Sequence, residues 1–222
     1  MHGKTKRITM LALFSAVAFA VMYLSKLIPI NVLGFLTFDL KDVIIGFCGF
    51  IYGPLAAVVV SVVVSFIEMI TISSTGPWGF VMNVLSTCFF ICPAAFIYRR
   101  HRSVTGAVSG LFVGALLMTA VMILWNYLVV PLYTPSISRD AVLPLLVPVF
   151  VPFNLIKSGL NGALMMLLYK PIVNALRAAH LVEESSEGGN TVSGGKKVGL
   201  VLVSLVALAT FILLALALAG KL

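Results

Sequence analysis

Apolar residues run along this chain in blocks about as long as a membrane is thick, and polar residues interrupt the blocks at a few places. Ile8 to Ile28, Trp78 to Tyr98, Val104 to Val130, Val147 to Tyr169 and Gly199 to Ala219 each approach the ~20 residues an α-helix needs to cross a ~30 Å hydrocarbon core. Val43 to Ile72 is longer, and Gly53-Pro54 divides it. Read as a single span, it puts Lys4, Lys6 and Arg7 on the opposite side from Arg99, Arg100 and Arg102, against the tendency of basic loops to gather in the cytoplasm. Read as two helices joined at Gly53-Pro54, it brings those clusters, Lys170 with Arg177, and Lys196 with Lys197 to one side.

The two-helix reading leaves a short first member, because Val43 to Tyr52 at ~1.5 Å per residue reaches only about half the core. The preceding loop, INVLGFLTFDLKD from Ile30 to Asp42, must then dip in from outside. Irregular backbone is tolerated at that depth only where it is buried in protein or lines a cavity. The pattern predicts an all-α integral membrane protein with three parts. Residues 1–180 form a six-helix bundle with a dipping loop after the first helix, 181–197 form a flexible Gly/Ser-rich cytoplasmic linker, and 198–222 add one C-terminal membrane helix. That last helix has no interior charge or amide and is expected to face lipid as an appended anchor. The N-terminus is expected in the cytoplasm and the C-terminus outside.

Composition agrees: the 222 residues are 61% hydrophobic and 10% charged, far from the ~45–50% apolar and ~25% charged mix of soluble domains. The net charge of +8 lies in short clusters without base-stacking aromatics, which argues against nucleic acid. MHGKTKR and the apolar run after it imitate a signal peptide, but the run continues past its A-x-A sites. Cys48, Cys88 and Cys92 fall in apolar segments without nearby His or carboxylate, so no metal site is expected. His2, His101 and His180 lie at the N-terminus or in cytoplasmic segments, and no phosphate-binding loop motif occurs. The chain therefore reads as a binding protein without catalytic machinery, cofactor or motor of its own.

Placed by depth, Asn31, Asp39, Asp42, Glu68, Asn83, Asn126, Asn154 and Lys157 collect near the outer ends of their helices or in the outer loops. Intramembrane groups of this kind face the bundle interior and mark ligand or ion paths. Most have a plainer role alone: Asn83 or Asn126 as a bond to a neighbouring helix, Asp39 and Asp42 as solvated loop carboxylates, Asp42 also as a helix cap, Glu68 as the counter-ion of Lys157. Lys157 lies too deep to snorkel and needs a partner. Asn154 at i−3 and Asn161 at i+4 share its helix face, a set suited to a flat heterocycle with carbonyls and ring nitrogens. Phe35, Leu36, Phe38, Trp78, Trp125 and Tyr133 are available to stack on such a ligand, although both tryptophans fit an interfacial belt equally well. Ala12, Ala16 and Ala20 recur every fourth residue of the first span, a stripe that serves either a partner helix or internal packing.

The stretches LTFDLKDV, YGPLAA, GPWGFVMN, NYLVVPLY and VPFNLIKSG, with the alanine stripe, resemble the substrate-binding S components of energy-coupling factor (ECF) vitamin transporters, and within them the riboflavin-specific members. The resemblance runs from about residue 8 to 178. It implies that Asn126, Asn154 and Lys157 hydrogen-bond a flavin, that Leu36, Thr37, Phe38 and Asp39 lie over it, and that Asn83 stands in a further site position. Trp78 and Glu68 are added on geometric grounds alone. It also implies a transmembrane coupling protein meeting Ala12, Ala16 and Ala20, two cytoplasmic ATPases, and a body that topples in the bilayer. The expected function is high-affinity riboflavin binding and ATP-driven uptake. The alternatives are another vitamin, such as thiamine, folate or pantothenate, or a scaffold without ligand. The family has six helices, so the resemblance gives the seventh no role.

Overall fold

The computed structural model describes residues 3–27, 30–33, 36–133, 138–178 and 194–221. Most of the expected linker lies outside them, as do Phe35 and the side chains of Asn31 and Tyr133. The elements are α1 (Gly3–Leu27), β1 (Asn31–Val32), β2 (Leu36–Thr37), α2 (Lys41–Tyr52), α3 (Pro54–Thr71), α4 (Gly76–Arg100), α5 (Val104–Tyr133), α6 (Arg139–Val142), α7 (Val151–Ala178) and α8 (Gly194–Leu218). Among the described residues, six helical segments are long and apolar enough to cross a membrane, and α2, with 12 residues, is not among them.

The chain turns between α2 and α3 where the sequence pattern divides. Gly53 has φ 97°, a left-handed conformation that L side chains rarely adopt, and Pro54 supplies the preset φ of a first helical residue. A Cβ at Gly53 would also lie 2.4 Å from an Arg99 guanidinium nitrogen, so the turn is closed over by the end of α4.

The segment expected to dip is more regular than a loop. Asn31 pairs with Thr37 and Val32 with Leu36 in a two-stranded antiparallel ladder, which satisfies backbone groups that hydrocarbon cannot. Val32, Leu36, Phe38 and Asp39 are buried, so the hairpin is packed into the body.

The approach to α7 departs from one uniform helix. Pro144, Pro148 and Pro152 remove helical N–H donors at four-residue intervals. The chain answers with a 3-10 turn at Leu143–Leu145 and a π turn at Leu146–Phe150, so that the apolar helical run begins at Arg139, well before Val147.

Two apolar clusters fill the interior. One, built around Phe14, Ile45, Phe47, Ile91, Met118 and Met165, joins α1 to α5 and α7. The other joins the hairpin residues Val32, Leu36 and Phe38 to Phe150, Phe153 and Ile156 of the π turn and α7, and to Ala215 of α8. The last helix is therefore not a free lipid-facing anchor: one face of it is docked on the body.

Candidate functional site

The Asn, Lys and Ser side chains of α4, α5 and α7 meet the hairpin in one cavity. Leu36, Thr37 and Asp39 of the hairpin form one wall, Asn83 and Ser86 of α4 a second, and Asn126, Asn154 and Lys157 the rest, with Met82, Met122 and Phe153 between them. The free space among them is about 30 Å³, room for a few water molecules at most.

Lys157 is held by the hairpin: its Nζ donates to Asp39 Oδ2 at 2.8 Å, and both side chains are buried. One turn along α7, Asn161 Nδ2 donates to the backbone carbonyls of Asp39 (3.0 Å) and Lys157 (2.9 Å). The hairpin is thus fastened to α7 through both the side chain and the backbone of one residue. Asn126 Nδ2 donates to Met122 O at 2.6 Å and Asn154 Nδ2 to Phe150 O at 2.7 Å, each tied to its own helix. Asp39 Oδ1 and Asn126 Oδ1 are buried and have no hydrogen-bond partner among the described residues. A buried carboxylate or amide oxygen left unpaired costs about 1–3 kcal/mol, more for a charge, so these acceptors bear on what the cavity can receive.

Glu68 takes a different role from the counter-ion of Lys157. Its Oε1 accepts from Lys26 and its Oε2 from Lys41, each at 2.7 Å, and it does not line the cavity. The last turn of α3 stands between the end of α1 and the start of α2, whereas Asp39, at the exit of the hairpin, is the carboxylate that reaches α7. Asp42 does not cap α2; its Oδ1 accepts from Thr87 Oγ1 at 2.6 Å. Lys26 and Lys41 thus share Glu68, Lys157 takes Asp39, and Asp42 is held by the Thr87 hydroxyl.

Two further site expectations are separated from the cavity. Trp78 is 41% exposed in the first turn of α4, where an interfacial tryptophan belongs. Phe38 is buried behind the wall, its ring 4.7 Å from that of Phe153, so it supports the lining without forming it. Sequence reasoning missed Lys41, which is 1% exposed. Its place inside the segment that had to dip into the membrane was the available signal. Ser86, Met82 and Phe153 carried none, being ordinary residues of apolar helices.

On α1, Ala12, Ala16 and Ala20 are all exposed, while Phe14, Ala18 and Met22 are buried on the other side. The stripe is a bare face of the folded chain, and internal packing does not account for it.

Residues 6–169 match the family model described as ECF transporter, substrate-specific component. The chain is 31% identical over 189 residues to the riboflavin transporter FmnP of Bacillus subtilis (strain 168), a match covering 80% of this chain and 99% of that protein. It is 29% identical over 179 residues to the riboflavin transporter RibU of Staphylococcus aureus (strain TCH60), covering 78% and 94% respectively. Among solved structures, it resembles the S component of a bacterial ECF transporter with a TM-score of 0.66 and 30% identity, over 78% of this chain and 99% of that one.

Proposed function

The chain belongs to the substrate-specific components of ECF transporters and is a multi-pass membrane protein, and from that premise we propose that the cavity beneath the hairpin binds riboflavin for ATP-driven uptake. The observation that carries the reading is the donor and acceptor set on one small space. Lys157 and the amides of Asn126 and Asn154 supply donors and acceptors, and Asp39 Oδ1 and Asn126 Oδ1 supply buried acceptors without a partner among the described residues. A flavin ring presents carbonyl and ring-nitrogen acceptors beside one ring N–H along a single edge. An ammonium and amide N–H groups suit the former, and an unpaired oxygen suits the latter. Riboflavin transport by two curated relatives supports the same ligand.

Ligand pockets run to roughly 300–1,000 Å³, so a flavin enters the space of about 30 Å³ only if the hairpin and α7 part. Parting them breaks the Lys157–Asp39 pair and frees Lys157 for the ligand. Asn83 serves the site as a lining amide. Trp78 and Glu68 act at a distance, as an interfacial belt residue and as the centre of the Lys26 and Lys41 pairs.

The protein acts as a transport subunit. A transmembrane coupling protein packs against the exposed Ala12, Ala16 and Ala20, where small side chains allow close approach, and cytoplasmic ATPases supply the energy. The basic clusters around Lys4 and Arg99 set the N-terminus in the cytoplasm and the binding cavity toward the exterior. Fluorescence titration tests the ligand: purified protein should quench riboflavin at submicromolar concentration, and a protein that leaves riboflavin fluorescence unchanged while binding another vitamin overturns the assignment.

A further inference from the structure

The family match ends at residue 169, so α8 lies wholly beyond it. Most described side chains of α8 are exposed, including Val203 at 67% and Val206 at 66%, yet Ser204 and Ala215 are 4% and 3% exposed, with Phe211 and Leu218 half-buried. These positions recur at steps of seven, four and three residues, one stripe of a 3.6-residue helix. The stripe packs on α7, and the contact is close. A Cβ built on Gly159 would sit 2.3 Å from Phe211 Cζ, so the ring occupies the space a side chain at 159 would take and would have to shift to admit one.

Gly159 stands two residues beyond Lys157. Toward the end of α8, Ala215 belongs to the same apolar cluster as the hairpin residues Val32 and Leu36 and as Phe153 of α7, and Phe211, Leu218 and Ala219 pack against that cluster. Leu36 and Phe153 are also cavity walls. The cluster therefore runs without a break from the appended helix to the site. Apolar surface gains little by leaving lipid, so a docked membrane helix is held by close packing of this ring-on-glycine kind.

We propose that α8 is a positioning helix for the ligand site: through Phe211 and Ala215 it braces α7 and the hairpin against each other, and so sets how long a bound flavin stays. The role rests on the cavity being the ligand site. Bracing acts on passage in both directions, because the hairpin must part from α7 for the ligand to enter and to leave. It leaves the polar contacts of Lys157, Asn154 and Asn126 unchanged, and it leaves the alanine face of α1 exposed for a coupling partner with α8 in place.

The test uses the full chain with Phe211→Ala, Gly159→Ala, which puts a methyl where the ring sits, and Val206→Ala on the exposed face as the control. Two quantities are read: the release rate of riboflavin, from fluorescence recovery during a chase, and hydrogen exchange of the amides of residues 31–37 without ligand. Phe211→Ala and Gly159→Ala should each speed release, association and hairpin exchange by about tenfold, with exchange in α2 to α5 near that of the parent, and Val206→Ala should change nothing. Unchanged release and exchange in both seam variants overturn the proposal. So does a uniform rise in exchange across the molecule with a fallen melting temperature, which marks a merely structural helix. If the parent fails to bind riboflavin, the ligand reading falls, and the exchange of the hairpin alone decides the bracing.

Discussion

The neighbouring helices α7 and α8 are both long enough to span a bilayer, yet they use it in opposite ways. In the span that contains α7, 39% of the most apolar stretch is buried inside the protein; in α8 the share is 11%. Helix α7 carries Asn154, Lys157 and Asn161 on one face, each engaged with another residue's backbone or side chain. Helix α8 carries no charge or amide after Lys197 within its helical length, and its docking depends on a ring against a glycine. In a membrane, polarity on a helix marks a face turned to protein, because a lone polar group in lipid costs a few kcal/mol. Its absence does not mark a face turned to lipid, since close packing leaves no polar signature.

The largest expected effect strips the α7 lysine of its partner. Asp39→Ala leaves the buried Lys157 ammonium unpaired and should destabilise the unliganded protein by about 3–5 kcal/mol, read from unfolding in detergent. The double variant Asp39→Asn/Lys157→Met, which removes both charges at similar volume, should recover most of that loss. A double variant as unstable as the single would mean that the pair does more than neutralise itself.

On α8, Val206→Lys places a charge on the exposed face near mid-span and should lower membrane insertion of that helix by about 2.5–3.5 kcal/mol, measured by glycosylation mapping of inserted segments. Undiminished insertion would mean that Val206 faces protein or water and would break the contrast with α7.

The smallest effect on binding is expected on α1. Ala16→Leu enlarges an exposed side chain of the alanine face and should leave riboflavin affinity within about 0.5 kcal/mol of the parent while ATP-driven uptake by the assembled transporter fails. Unchanged uptake would remove that face from the coupling contact.

What the sequence made legible follows from the same contrast. Six of the spans, the break at Gly53-Pro54 and the gathering of Asp39, Asn83, Asn126, Asn154 and Lys157 were readable because each is a local departure from hydrocarbon. The identity of ion-pair partners was not, because pairing depends on which helix ends meet. Asp39 and Lys157 are 118 residues apart, and Glu68, expected beside Lys157, lies instead between Lys26 and Lys41. Lys41 was overlooked because a lysine at the junction of a loop and a helix reads as solvated. The hairpin register of Asn31 with Thr37 left no alternation to detect in strands of two residues. Gly159 and Phe211 were both ordinary members of apolar helices, so their contact was invisible until the two helices were placed together.

The most direct test of the central claim, that the cavity under the hairpin reads a flavin through the α7 face, is a riboflavin fluorescence titration of the parent beside the Asp39→Asn/Lys157→Met variant, with unfolding measured on both. The parent should bind below micromolar concentration. The variant, folded with near-parent stability, should bind more weakly by at least roughly 1.5–3 kcal/mol, about 10- to 150-fold. Equal affinity in two equally stable proteins would contradict the account.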